Sequence, residues 1–313
     1  MKKLAIALFG LAVSAASFAA QPLLTPAELS TKLTSQNVRV IDIRDAKSYA
    51  ANHIPGAVNA SYGQWRGPAS NPGELPALPK LTALVQSLGL TPSTHAVVVS
   101  SGADATDFGA AARVYWTLKV LGFKELSLLN GGVAAWTAAQ LPQNTEAVKV
   151  AASNFQPQLD MTQIATKEEV VKRINAGDSL MIDARPAAFF NGDTRAPTAK
   201  VAGTLPNAVN FQHDKWFAAG SSTFVSADQA KQIAASSPID PSKETVSFCN
   251  TGHWAATNWF AMSEVLGQKN VKLYAGSMTE WSQDPNGLPM ANVPNRAKQL
   301  LTDAKFWADK TFK

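Results

Sequence analysis

The amino-acid sequence predicts an α/β protein made of two tandem copies of one domain, each a mostly parallel sheet flanked by helices. Two observations carry that expectation. The same landmarks recur in the same order in both halves of the 313-residue chain, and duplication is the economical explanation of such order. Within each half, short apolar runs of strand-forming residues alternate with amphipathic stretches, as parallel strands joined by helical crossovers do. The length suits two domains of roughly 100–200 residues each.

Residues 1–19 stand outside this fold. Lys2 and Lys3 precede an apolar run at 4–13, and Ser17-Phe18-Ala19 supplies small residues for cleavage. This reads as a secretory signal peptide, cut after Ala19 or, as second choice, after Ala20. The apolar run is too short for a stable membrane anchor, and no later segment is long and apolar enough to cross a bilayer. No cysteine follows the run to carry a lipid. The expected address is the periplasm.

The first copy spans residues 24–140 and the second 161–290. Residues 38–44 (VRVIDIR) read as a strand closing in Asp-x-Arg, and residues 179–185 (SLMIDAR) answer them. Residues 54–59 (IPGAVN) match 205–210 (LPNAVN). The apolar runs at 96–101 and 245–249 each lead into a helical stretch ending in Val-Leu-Gly, at 120–122 and 265–267. Residues 128–136 (LLNGGVAAW) match 273–281 (LYAGSMTEW). Thr166 with Glu169, and Ser226 with Gln229, have the spacing of a capping box. Residues 141–160, rich in Gln, Ala, Pro and Asn, form the linker, and 291–313 a helical tail.

Cys249 is the single cysteine. It closes a β-type run and is followed by Asn250-Thr251-Gly252-His253-Trp254 and a helix-prone stretch. A thiol between a strand end and a helix N-terminus meets backbone N–H groups and the positive end of the helix dipole, both of which favour the thiolate. In such sheets the ligand site lies beyond the carboxyl ends of the strands. A lone cysteine forms no internal disulfide, which leaves burial or chemistry as its reason in an exported protein. The polar flank with its glycine favours chemistry.

Other chemistries fit less well. The net charge of +5 is mild and unclustered, which argues against nucleic acid as a partner. Four histidines and one cysteine, scattered along the chain, make no metal cluster, and no Gly-rich phosphate loop follows a strand. A cysteine phosphatase loop would close on an arginine, where Ala255 stands. His253, within the same loop, is badly placed as the base of a Cys–His protease. No cofactor and no metal are expected.

The order Asp-x-Arg, then Ile/Leu-Pro-x-Ala-Val-Asn, then a strand ending in Cys with a six-residue loop, then Gly-Gly/Ser-x-x-x-Trp, resembles the rhodanese family in its tandem two-domain form. It covers nearly all of the chain after the leader. The resemblance implies a sulfurtransferase: the Cys249 thiolate takes a sulfane sulfur from thiosulfate or 3-mercaptopyruvate and stores it as a persulfide. It then hands the sulfur to cyanide, a small thiol or a periplasmic protein thiol, with no nucleic acid or membrane as partner. Aligned by strand ends, Ser101 stands opposite Cys249, followed by a longer loop carrying Asp104 and Asp107. The first copy is therefore expected to be inactive and to wall the cleft.

In that resemblance the loop cradles the donor. Gly252 permits a tight path, Asn250 and Thr251 donate side-chain hydrogen bonds, and Trp254 packs. His253 either adds positive charge or is an exposed loop residue. Family members preferring thiosulfate often carry Arg or Lys in this loop, and those preferring mercaptopyruvate are more neutral with a small hydroxyl residue; this loop, neutral with Thr251 and with an unusual His253-Trp254, matches neither pattern. Active tandem members carry a donor-binding Arg a few residues beyond the second Asp-x-Arg. Here Phe189 and Phe190 fill that stretch, which leaves Arg195 or Lys200, in the insertion at 191–201, to bind the anion. Asp183 and Arg185 are expected to hold loops together, and His53 to be a turn residue. The alternative function is a non-enzymatic sulfur carrier or protein-binding module of the same fold. Cys249 in a polar loop favours the enzyme.

Overall fold

Two parallel sheets organise the computed structural model, which describes residues 20–301 and Ala304. Residues 1–19, where a leader is expected, lie outside the described residues. The first half runs β1 (Leu23–Leu24), α1 (Pro26–Lys32), β2 (Val38–Asp42), α2 (Ala46–Ala51), β3 (Val58–Asn59), α3 (Leu78–Ser87), β4 (His95–Val99), α4 (Ala105–Val120), β5 (Leu126–Leu129) and α5 (Gly132–Ala138). Its strands lie in the order β1-β5-β4-β2-β3. The second half runs α6 (Lys167–Ala176), β6 (Ser179–Asp183), α7 (Ala187–Phe190), β7 (Val209–Asn210), α8 (Ala227–Ala235), β8 (Glu244–Phe248), α9 (Trp254–Phe260), β9 (Val271–Leu273) and α10 (Ser277–Gln283). Its order is β7-β6-β8-β9. A single parallel bridge from Ile164 to Leu273 stands where β1 pairs with Leu128 in the first sheet. Helices cover both faces of each sheet, so the central strands are buried on both sides. Residues 96–99 of β4 are all buried.

Strand register corrects one expectation. Asp42 faces Val99 across β2 and β4, and Asp183 faces Phe248 across β6 and β8. Ser100, not Ser101, therefore occupies the place of Cys249. The Val133 N–H donates to the Ser100 carbonyl as the Met278 N–H donates to that of Cys249. The apolar run alone does not mark a strand's last paired residue; the neighbouring strand does. The first copy still holds a serine in place of the thiol. Its loop is not longer: β4 ends at Val99 and α4 starts at Ala105, while β8 ends at Phe248 and α9 starts at Trp254. The extra residues lengthen the helix instead. α4 has 16 residues, against 7 in α9 continued by a 5-residue π-helical segment, Ala261–Val265.

Helix starts follow the sequence in part. Ser226 and Gln229 form a full capping box at α8, and Thr25 and Glu28 form another at α1. At α6, Thr166 accepts the Glu169 N–H, but the Glu169 carboxylate turns to Arg173 and Lys272. Charged partners outcompete the backbone N–H there. Beyond β9 and α10, Ala291 bridges back to Thr204 and residues 296–301 are helical. His53 is fully buried, stacked on Tyr49, and bridges to Asn144 of the linker.

The two halves share one hydrophobic core. Phe108 of α4 packs on Phe217, Phe224 and Phe260, and Tyr115 packs on Trp259 and Phe260. Glu264 accepts hydrogen bonds from Tyr115 and Lys119. Asn130 exchanges two hydrogen bonds with the Phe224 backbone. α4 thereby lies against α9, and the loop after β8 sits beneath the first domain.

Candidate active site

Cys249, only 1% exposed, follows the last residue of β8. It lines a cavity of about 220 Å³ together with Asn250, Thr251, His253 and Trp254 of its own loop and Thr106 of α4. The sequence places five of these six on one loop; the sixth comes from the other half.

Ser277 shapes the loop from below. Its Oγ accepts the N–H groups of Cys249 (3.0 Å) and Gly252 (3.1 Å) and donates to the Tyr274 carbonyl (2.7 Å). It does so from a left-handed backbone, φ +52°, where the first copy has Gly132 at +58°. The carbonyls of Cys249 and Asn250 accept N–H groups from Met278 and Thr279. Gly252 has φ +64°, and a Cβ there would fall 2.5 Å from Nη1 of Arg113 and 2.6 Å from the Ala275 carbonyl oxygen. Only glycine satisfies both the backbone and the space. The N–H groups of Asn250, Thr251, His253 and Trp254 have no hydrogen-bond partner among the described residues. They are donors available to an anion beside the sulfur.

Asp183 and Arg185 form the side of the site. Their pair is 0% and 2% exposed and two-pronged, with Nε to Oδ1 at 2.9 Å and Nη2 to Oδ2 at 2.6 Å. Arg185 also donates to the Gly203 carbonyl and, at 3.3 Å, to Oδ1 of Asn250. The pair thus ties a crossover loop to the cysteine loop. Its guanidinium lies 5.8 Å from the Phe189 ring centre.

His253 is neither a cation nor an exposed loop residue. Its Nε2 lies 2.7 Å from the Thr106 carbonyl oxygen and its Nδ1 2.8 Å from the Tyr62 hydroxyl. The carbonyl only accepts, so Nε2 carries the hydrogen and Nδ1 accepts from Tyr62. Burial brings the ring down to about 4, with Arg66 and Arg113 acting in the same direction. At neutral pH it is a neutral bridge between the halves. Trp254 does more than pack: it stacks on His213 with centres 5.0 Å apart, and its Nε1 donates to Oγ1 of Thr106. Phe189 meets it edge-on.

Permanent positive charge reaches the loop from the first domain. Arg66 donates from Nη2 to the Thr251 carbonyl at 2.9 Å. Arg113, fully buried in α4, donates to the Gly252 carbonyl at 3.2 Å and the Gly73 carbonyl at 2.7 Å, with its guanidinium 4.9 Å from the Trp116 ring centre. Arg195, by contrast, donates to the Ala199 carbonyl within its own insertion and does not line the cavity. That insertion is docked on α10, Thr198 against Thr279 and the Lys200 N–H on Ser282. Tyr62, Arg66, Thr106 and Arg113 escaped the sequence reading because they act across the repeat. The one available signal was Arg113 itself, a lone charge in the apolar stretch GAAARVYW. Among the described residues no group of His, Cys, Asp and Glu could hold a metal ion.

Comparison with known proteins agrees with this geometry. The rhodanese-like domain matches residues 25–139 and 166–284. The chain is 33% identical over 263 residues to a thiosulfate sulfurtransferase of Pseudomonas aeruginosa, covering 83% of this chain and 94% of that one. It is 32% identical over 272 residues to the thiosulfate sulfurtransferase of Azotobacter vinelandii, covering 86% and 97%. The crystal structure of SseA from Escherichia coli, described with the rhodanese fold and mechanism of 3-mercaptopyruvate sulfotransferases, matches with a TM-score of 0.71. It covers 82% of this chain and 99% of that one at 23% identity, a likeness of fold. With two matched domains and relatives of this similarity along most of its length, the chain belongs to the rhodanese family of sulfurtransferases, as a tandem two-domain member.

Proposed function

We propose that the protein moves a sulfane sulfur from thiosulfate to a thiophilic acceptor through a persulfide on Cys249. The observation that carries this reading is the sole thiol at the floor of a small cavity rimmed by unpaired N–H groups. The Cys249 thiolate attacks the outer sulfur of thiosulfate, the S–S bond breaks, and sulfite leaves with the electron pair. An acceptor such as cyanide then attacks the terminal persulfide sulfur, thiocyanate leaves, and the thiolate returns. Neither step needs an external oxidant or a metal. The unpaired loop N–H groups match the negative charge of the donor and of the persulfide. Thiosulfate is favoured over 3-mercaptopyruvate by the names of the more similar relatives.

The reading includes export. Ala20, the first described residue, directs its N–H to Oε2 of Glu125 at 2.9 Å. Cleavage after Ala19 would turn that group into an ammonium facing a carboxylate, whereas cleavage after Ala20 would forgo the pair. This favours the cut after Ala19 over that after Ala20; the periplasmic site of action rests on the leader pattern at 1–19, and there small thiols or a protein thiol would serve as acceptor.

The test is sulfur transfer to cyanide with each donor. Wild type should form thiocyanate, faster with thiosulfate than with 3-mercaptopyruvate, and Cys249→Ser should form none while unfolding at the wild-type temperature. Wild-type turnover in Cys249→Ser would remove Cys249 from the mechanism.

A further inference from the structure

We propose that the thiol-less first domain takes part in sulfur transfer through Arg66 and Arg113, positioning residues that hold two carbonyls of the cysteine loop away from the cavity and give the loop a permanent positive field. The proposal deepens the sulfurtransferase reading and rests on Cys249 as the reacting sulfur.

The geometry begins with the two peptide units in the middle of the loop. Arg66 fixes the Thr251 carbonyl and Arg113 the Gly252 carbonyl, at 2.9 and 3.2 Å. A trans peptide unit directs its C=O and N–H to opposite sides. With the Thr251 carbonyl held toward the first domain, the Gly252 N–H is turned to Ser277, where it is found. With the Gly252 carbonyl held likewise, the His253 N–H is turned the other way and has no partner among the described residues. The arginines and Ser277 therefore grip the loop from opposite sides. Without the arginines, two carbonyl dipoles would be free to swing toward the sulfur, where they would repel an anion.

The charge argument is independent of the hydrogen bonds. Residues 250–254 carry no charged side chain, since His253 is neutral. Among the described residues neither Arg66 nor Arg113 forms a salt bridge, whereas Arg185, the other arginine that contacts the cysteine loop, is neutralised by Asp183. The partners of Arg66 and Arg113 are carbonyl oxygens and the faces of Tyr62 and Trp116. These partners leave the charge uncancelled, and Nη1 of Arg66 and Nε of Arg113 are buried without a hydrogen-bond partner. Burial and the neighbouring Arg66 bring Arg113 down to about 9, which leaves it cationic at neutral pH. One half-buried and one fully buried cation thus act on a loop that must bind a dianionic donor and carry an anionic persulfide.

The test separates charge from structure at Cys249 itself. The full-length protein is alkylated with iodoacetate, an anion, and with iodoacetamide, its neutral analogue, and the ratio of the two rates is measured by intact mass. Arg66→Met keeps the length of the side chain and removes the charge; Arg66→Lys keeps the charge and loses the fork. The iodoacetate-to-iodoacetamide ratio should fall by about three- to tenfold in Arg66→Met, as loss of one nearby charge in a partly buried site implies, and Arg66→Lys should recover most of it. The KM for thiosulfate should rise more than kcat falls in Arg66→Met. Should the methionine variant be unstable, Arg66→Gln gives the same reading. A ratio within twofold of wild type in the uncharged variant, or a lysine variant as defective as the methionine one, overturns the proposal. Alkylation needs no sulfur donor, so this result stands apart from whether thiosulfate loads the cysteine.

Discussion

At the scale of single residues, two unusual backbones shape the loop. Gly252 and Ser277 both lie at positive φ, +64° and +52°, and they meet through the Gly252 N–H and the Ser277 hydroxyl. Glycine adopts this backbone freely, so the strain falls on Ser277 alone, where its hydrogen bonds to Cys249, Gly252 and Tyr274 hold it in place. Gly252→Ala should therefore leave most of the fold intact yet displace the loop, since the new Cβ meets Arg113 and the Ala275 carbonyl at 2.5 and 2.6 Å. The expected outcome is a loss of sulfur transfer of about a hundredfold or more, the scale a misplacement of about an ångström produces, with a thermal midpoint lowered by only a few degrees. Steady-state rates and a melting curve on the same sample check both halves. Gly252 was legible in the sequence as a tight-turn residue, whereas Ser277 was not. Its place in the second Gly-Gly/Ser-x-x-x-Trp motif was visible, but a serine hydroxyl bridging to a loop 25 residues away is a product of tertiary packing.

At the scale of elements, the repeated motifs prove to be staples at strand ends. Asp42 and Asp183 end their strands, each grips the arginine two residues on, and Asn59 and Asn210 each donate to the carbonyls on both sides of that turn. This is why Asp-x-Arg and Val-Asn recur together and why the sequence revealed the duplication. The two staples differ in burial: Arg44 and Asp42 are 10% and 1% exposed, Arg185 and Asp183 2% and 0%. Removing one partner of a buried pair strands the other charge and costs about 3–5 kcal/mol. Asp183→Asn should lose about that much in chemical denaturation, and Asp42→Asn less, since Arg44 is closer to water. Only Asp183→Asn should also slow sulfur transfer per folded molecule, because Arg185 reaches Asn250. Equal slowing by both variants would place the Asp183 effect in stability alone. What the sequence left obscure here was register: Ser100 and Ser101 are alike in composition, and only pairing with β2 selects between them.

At the scale of the whole molecule, the duplication has produced one site rather than two. The first copy lost the thiol position to Ser100 and contributes Tyr62, Arg66, Thr106 and Arg113 to the second copy's loop. Tandem order and the site's own loop were legible in the chain; contacts made across the repeat were not, because nothing in the linear pattern pairs α4 with α9. His253 is the polar centre of that contact, and it has a pH signature. Its value of about 4 in the folded protein lies below the ~6.5 of an unfolded histidine. Between those values the unfolded chain binds the extra proton, so His253 contributes stability fully above ~6.5 and loses it as pH falls toward 4. The slope from this group reaches at most about 1.4 kcal/mol per pH unit. His253→Gln should flatten the pH dependence of stability between 6.5 and 4, leaving a residual slope from His213 and His95, which burial also lowers. An unchanged slope would mean that His253 does not stay neutral on folding. The proposed persulfide on Cys249 is tested most directly by weighing the chain. Intact-mass spectrometry after incubation with thiosulfate should show the wild-type chain heavier by one sulfur, the increment disappearing on addition of cyanide as thiocyanate forms, and no increment on Cys249→Ser. A wild-type chain that gains no sulfur from thiosulfate or 3-mercaptopyruvate, or a Cys249→Ser chain that gains it equally, would contradict the persulfide account.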